Sequence, residues 1–177
     1  TYQDPTTVYL LTELLQGGEL FSLMQKQPGC RLPHDHVVFY GACVFGLPSE
    51  GVEILPLLCR TATETAAAAG LSDCVRFENA DMLTHDLRGA DIVLHASQCW
   101  DEELRDDLAV KLLNELSVGA IILDYSDYLG RCGREGRIGH VQRRFFREVD
   151  CVTAPVSWDA AHRFYVYVFC AEAVSAR

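Results

Sequence analysis

The chain has 177 residues, 49% of them hydrophobic and 23% charged, with a mean hydropathy of +0.06, which is the size of one globular domain that buries a core without staples. Its formal charge of -10 excludes a general binder of nucleic acid or anionic membrane, because phosphates are repelled except at a local basic patch. No apolar run approaches the roughly 20 residues that cross a bilayer and no signal-peptide pattern is present, so an intracellular protein, cytoplasmic or nuclear, is expected.

Cysteines stand at 30, 43, 59, 74, 99, 132, 151 and 170, with no C-x-x-C pair among them. Apolar neighbours, as in Ala42-Cys43-Val44 and Phe169-Cys170-Ala171, predict reduced core thiols rather than a metal cluster. His34-x-His36 lacks a partner at ligand spacing and reads as a solvated helix start, so no metal is expected. The chain opens on Thr1, and a fragment of a longer protein is among the expectations.

In chain order, Val8 to Leu14 is rich in strand formers, Gln16-Gly17-Gly18 breaks it, and Glu19 to Met24 is helical in character. Pro28-Gly29 stops that segment, and a second helix is predicted from Pro33 through Val37, Val38, Phe39, Ala42 and Val44. Gly51-Val52-Glu53-Ile54-Leu55-Pro56 then reads as a short strand closing on a carboxylate before a helix with Pro at its first turn and Gly70 at its cap. In a parallel sheet, ligands bind outside the carboxyl ends of strands, where an acidic side chain such as Glu53 can accept from two ribose hydroxyls.

Further strands are predicted at Cys74 to Glu78, Asp91 to Ala96 and Ala120 to Tyr125. Between the last two, a helix from Asp101 to Leu116 carries acids in its first turn and Leu104, Leu108, Leu112 and Leu116 as its buried stripe. Two aromatic and β-branched strands, Cys151 to Trp158 and Arg163 to Cys170, read as an antiparallel pair. Strands alternating with helices of this length predict an α/β, Rossmann-like, mostly parallel sheet ending in that pair.

Two resemblances cover different parts of the chain. Tyr9 to Phe21, with Arg31-Leu32-Pro33 and Phe39-Tyr40-Gly41-Ala42, resembles the hinge and first C-lobe helices of a protein kinase of the cyclic-nucleotide-dependent type. That resemblance implies Thr12 as gatekeeper, Glu13 and Leu15 as adenine-facing backbone, and Glu19 as a ribose contact. No glycine-rich loop, His-Arg-Asp or Asp-Phe-Gly accompanies it, so this chain alone is not expected to transfer phosphoryl groups.

From Gly51 onward the ordered phrases Gly51 to Pro56, Arg76 to Leu83, Gly89 to Leu94, Cys99 to Leu104, Leu116 to Leu123 and Val156-Ser157-Trp158 are similar to a class I S-adenosylmethionine-dependent methyltransferase of the Dot1-like branch. The resemblance implies S-adenosylmethionine as cofactor, with Glu53 on its ribose, and Asp81 and Met82 on its adenine. It places the methyl-transfer turn at His95 to Trp100, with Ser97 and Trp100 as catalytic candidates and a protein or histone lysine as acceptor. Dot1-like proteins carry Asn in that turn, where this chain reads Ala96-Ser97-Gln98.

Such enzymes need a glycine-rich turn before Glu53, and Gly41, Gly46 and Gly51 are too widely spaced to make one. The first strand and its loop are therefore expected to be missing or substituted, and cofactor binding impaired. Two segments follow from this: a kinase-like fragment over 1–46 and a truncated methyltransferase-like domain over 47–177. An alternative reading puts Val8 to Leu14, Gly17-Gly18 and the helix ending near Phe45 in the places of the first strand, its loop and its helix; a Val8–Leu14 strand paired outside the main sheet would end it.

A non-catalytic fusion remnant and a piece of a larger serine/threonine kinase remain the rival functions. The arginines at 131, 134, 137, 143, 144 and 147, interleaved with glycines, form the one basic patch, open to an acidic or nucleic-acid partner but read more simply as a solvated loop leading into a helix. Ser97 and Ser126 lack a Gly-x-Ser-x-Gly elbow, and Trp100 and Trp158 read as core or pocket walls.

Overall fold

A computed structural model describes residues 8–12, 38–39, 41–43, 46–97, 100–131, 145–154 and 161–170. The chain divides into two compact units, Thr1–His85 and Asp86–Arg177.

In the first unit, β1 (Val8–Thr12), β2 (Ser49–Glu53) and β3 (Val75–Glu78) lie side by side in the order β3-β2-β1. Both pairings are parallel: Val8 aligns with Ser49 and Thr12 with Glu53, while Ser49 aligns with Val75 and Val52 with Glu78. The carboxyl ends of all three strands therefore share one edge. Val8–Thr12 is thus paired within the sheet beside β2, so of the two expectations, a missing or a substituted first strand, the pairing supports substitution. The residues carried by the kinase resemblance beyond it, Glu13, Leu15 and Glu19, lie outside the described residues, as do Gly17-Gly18, His34, His36 and Trp158.

Helix α1 (Pro56–Ala68) connects β2 to β3. Proline at N1 loses nothing there, because the first amides of a helix have no intrahelical acceptor. Leu58, Cys59, Ala62 and Ala66 are its buried stripe. The helix ends as expected on Gly70 at φ +70, with the Leu71 amide donating back to the Ala66 carbonyl. At Gly51 the need is for space: a Cβ built there would lie 2.5 Å from the Phe77 ring of β3.

In the second unit, β4 (Ile92–His95) pairs parallel with β5 (Ile121–Asp124), which pairs antiparallel with β7 (His162–Phe169), itself antiparallel to β6 (Phe146–Ala154). Both units are α/β, with parallel strands in each and the antiparallel pair at the carboxyl-terminal end. Strand β6 starts earlier than expected, so Arg147 lies on a strand with its side chain exposed, not in a loop leading to a helix. This strand is protected from stray pairing by charges at Arg147, Glu148 and Asp150 and by an irregularity between Glu148 and Asp150.

Helix α2 (Glu102–Glu115) starts where Asp101 caps it, its carboxylate accepting from the Leu104 amide at 2.9 Å. Leu108 and Leu112 are buried as predicted, but so are Asp106 and Lys111 on the same helix. A single turn, α3 (Tyr128–Arg131), follows β5. The expectation of core thiols holds for Cys59 alone among the described cysteines. Cys43 and Cys151 are exposed, Cys74 and Cys170 half-buried, and all five are free. Apolar neighbours misled because Cys43 turns to solvent while Ala42 beside it is buried, and Cys151 lies on exposed β6.

Candidate functional site

Within the first unit, the predicted cofactor residues sit at the carboxyl end of β2 (Glu53) and just past that of β3 (Asp81 and Met82). Glu53 is half-buried, and its Oε1 accepts from the Leu55 amide at 2.8 Å, which fixes the carboxylate at the mouth of the turn into α1. Asn79 donates to the carbonyls of Glu53 and Ile54 at 2.8 and 3.0 Å, tying the ends of the two strands together. Asp81 is exposed, and its Oδ1 takes the Leu83 amide at 2.8 Å in an Asx turn. Met82, next to it, is buried. Two carboxylates are thus held by local amides at one edge of a parallel sheet, an acceptor set suited to ribose hydroxyls and an amino group.

A second polar cluster in this unit was not foreseen. Glu50, Glu78 and His85 bring ligand-type atoms within 4.8 Å of one another. Arg76 lies among them, its guanidinium on Glu50 Oε1 at 2.7 Å and 3.7 Å from Glu78. Glu50 Oε1, which also faces His85 at 3.6 Å, is thereby committed to a cation already present. The buried Glu50 carboxylate is compensated by this ion pair, as burial of a charge requires.

In the second unit, parallel pairing aligns His95 at the end of β4 with Asp124 at the end of β5. Both are fully enclosed, at 2% and 0% exposure. The Ser97 hydroxyl hydrogen-bonds Asp124 Oδ1 and lies 2.7 Å from the Ser126 hydroxyl; the Ser126 amide donates to the same Asp124 oxygen at 2.8 Å. Trp100 is buried, its ring stacked on His95 with centroids 5.6 Å apart. Arg105 donates to the Ser97 carbonyl at 3.0 Å and lies 5.4 Å over the Tyr128 ring, while the Tyr128 hydroxyl donates to Asp106. Of the two catalytic candidates, then, Ser97 is a buried hydrogen-bonding node and Trp100 a buried wall. Sequence reasoning missed Asp124 and Arg105, since nothing in the chain marks two strand ends as neighbours before the pairing is known.

Both ring nitrogens of His95 lack a hydrogen-bond partner among the described residues. Burial pushes its pKa below the ordinary 6.5, Asp124 opposes that shift, and Arg105 adds to it. These two, from β5 and α2, are the charged groups facing the ring, with the Trp100 indole across it. A histidine with a lowered folded pKa contributes stability that is complete above its unfolded pKa of about 6.5 and is lost as pH falls, because the unfolded chain binds the proton first. We expect the urea midpoint to drop between pH 7 and pH 5.5, by at most about 1.4 kcal/mol per pH unit from this one group. His95→Asn should flatten that slope; an unchanged slope in the variant refutes the assignment.

A cavity of about 450 Å³ opens beside this cluster within the same unit, lined by Arg105, Tyr125 to Tyr128, and Ala161 to Arg163 with Tyr165. Among the described residues, no helix is long and apolar enough to cross a membrane.

No family model and no curated protein matches the chain. Solved structures do. An RNA methyltransferase from Salinibacter ruber, in complex with S-adenosyl-L-homocysteine, matches with TM-score 0.62 and 20% identity, over 97% of this chain and 85% of that one. The S-adenosylmethionine-dependent methyltransferase SibL, in its apo form, matches at 0.58 and 17% over 94% of this chain and 51% of its own. The B. subtilis tRNA methyltransferase TrmK matches at 0.58 and 12%, over 90% and 59%. This chain therefore spans a little over half the length of the last two. It has the fold of the class I S-adenosylmethionine-dependent methyltransferases.

Proposed function

We propose that this chain is a methyltransferase domain that binds S-adenosylmethionine through Glu53 and Asp81. One observation carries the reading. Strands β1, β2 and β3 are parallel and end on one edge, with Glu53 closing β2 and Asp81 just past β3, in a fold shared with enzymes of that class. At such an edge the ribose hydroxyls would meet Glu53, and the adenine amino group Asp81, with Met82 behind it. The cofactor supplies an activated methyl group on a positively charged sulfur, so the protein's part is to bind, orient and exclude water rather than to move protons. Ser97 and Trp100 enter this reading as residues that hold the turn after β4.

Binding is expected to be weak, because Gly17-Gly18 is all the glycine that follows β1 before the next helix-like segment. The ordered phrases from Gly51 to Trp158 support a Dot1-like branch with a protein lysine as acceptor, inside the cell. Val8–Thr12 enters as a substitute first strand. A kinase origin for residues 1–46, with nucleotide contacts at Glu13, Leu15 and Glu19, would be favoured by a longer transcript carrying the missing kinase motifs.

The test is calorimetric titration with S-adenosylmethionine and S-adenosylhomocysteine. Sub-millimolar binding that is lost in Glu53→Ala and in Asp81→Ala is the expected result. No heat from a cooperatively folded wild-type chain would overturn it in favour of a non-catalytic remnant domain.

A further inference from the structure

We propose that the 450 Å³ cavity of the second unit is a nucleotide pocket, stacking a planar base on its tyrosine rings and taking the phosphate on Arg163. The volume lies within the range of small-ligand sites. Its composition then chooses among ligand classes.

Three tyrosines, at 125, 128 and 165, and His162 line the cavity. Several of these rings are held in place before any ligand arrives. Tyr125 packs edge-on against Phe164 with centroids 4.7 Å apart, and His162 lies 5.6 Å from the same ring with its Nε2 3.0 Å from the Tyr125 carbonyl. Tyr128 is held by its hydroxyl on Asp106 and by Arg105 above its face. Rigid, preplaced rings stack a planar ligand with little ordering cost, and base–aromatic stacking contributes about 1–3 kcal/mol per base.

Charge narrows the class further. Two guanidiniums, Arg105 and Arg163, line the cavity against one carboxylate, Asp127. Arg105 is already engaged with Ser97 and Tyr128. Arg163 is exposed and has no ion-pair partner among the described residues, so it is placed to meet an anion at the rim. The excess positive charge disfavours a lysine ammonium, and the tyrosine hydroxyls, Ser126 and Asp127 make the lining too polar for an aliphatic ligand. An anionic planar ligand satisfies both halves of the lining. The chain's overall charge of -10 opposes a long duplex, leaving a free nucleotide or a nucleotide exposed in a short single strand.

The inference rests on the methyltransferase reading for the transfer and not for the binding, and it puts a nucleotide in the acceptor's place where the Dot1-like reading has a protein lysine. The experiment titrates the full chain with the four nucleoside 5′-monophosphates, a short single-stranded RNA, the matching unphosphorylated nucleosides and a lysine peptide. Binding of a monophosphate at least tenfold tighter than its nucleoside is expected, weakened about tenfold by Arg163→Glu and by Tyr125→Ala but retained in Tyr125→Phe. A preference for the RNA over every free monophosphate identifies the source as a strand, and the reverse a free nucleotide; either supports the pocket. No binding of any nucleotide, equal affinity in Arg163→Glu, or binding of the lysine peptide alone overturns it. S-adenosylmethionine titrations on the same variants separate the two readings. Arg163→Glu should leave cofactor binding intact, and Glu53→Ala should remove cofactor binding while the monophosphate still binds.

Discussion

Replacing Glu115 by alanine is expected to lower the unfolding free energy by about 3–5 kcal/mol, the range for breaking a buried ion pair from one side. Lys111 is buried on α2, and its ammonium lies 2.6 and 2.7 Å from the two Glu115 oxygens one turn later. Glu115 Oε2 also accepts from the Leu87 amide at 2.8 Å, anchoring a fully buried leucine. Alanine would leave both donors without an acceptor, and the ammonium has little water within reach at 6% side-chain exposure. The double variant Lys111→Met with Glu115→Ala should recover about 2 kcal/mol of the loss, since an unpaired amide costs less than an unpaired buried charge. Urea denaturation of the four chains measures this cycle. A single-variant loss below about 1 kcal/mol would mean that Lys111 swings its head to solvent along its aliphatic stem, and the pair would then count for little.

That helix also shows what could be read in the chain beforehand and what could not. Leucines four apart marked its buried side, and Leu108, Leu112 and Leu116 are buried. Periodicity sorts residues by polarity, so it gives no sign that Asp106 and Lys111 are buried. Both are buried because partners lie within reach, the Tyr128 hydroxyl for one and Glu115 for the other. Strand β2 with its closing carboxylate, the Pro56 start and the Gly70 stop were legible because each rests on backbone rules local to a few residues. The place of Val8–Thr12 was harder. A strand former pattern followed by Gly-Gly is common to unrelated folds, and only the parallel register with Ser49–Glu53 makes it a neighbour of β2. The His95–Asp124 cluster was invisible for the same reason: its members are joined by strand alignment across nearly thirty residues of sequence.

Asp124 carries the second large expectation, because one of its oxygens organises the ends of both strands. Its Oδ1 accepts from the Ser97 hydroxyl and from the Ser126 amide, while Oδ2 has no hydrogen-bond partner among the described residues. Asp124→Ala removes the acceptor from a buried hydroxyl and a half-buried amide, at about 1–3 kcal/mol each, so a loss of about 2–4 kcal/mol is expected. Asp124→Asn keeps an oxygen where Oδ1 stands and puts an amide nitrogen in place of the partnerless Oδ2. Asparagine should therefore stay within about 1 kcal/mol of the wild type, the net value of a typical hydrogen bond. The consequence reaches the cavity, because the Ser97 carbonyl holds Arg105 and Ser126 lines the wall. In alanine the Trp100 indole resonance should shift and broaden as its support on His95 loosens, and in asparagine it should stay sharp. Equal losses in urea for the two variants would show that the negative charge itself, and not the geometry of its oxygen, holds these strand ends together.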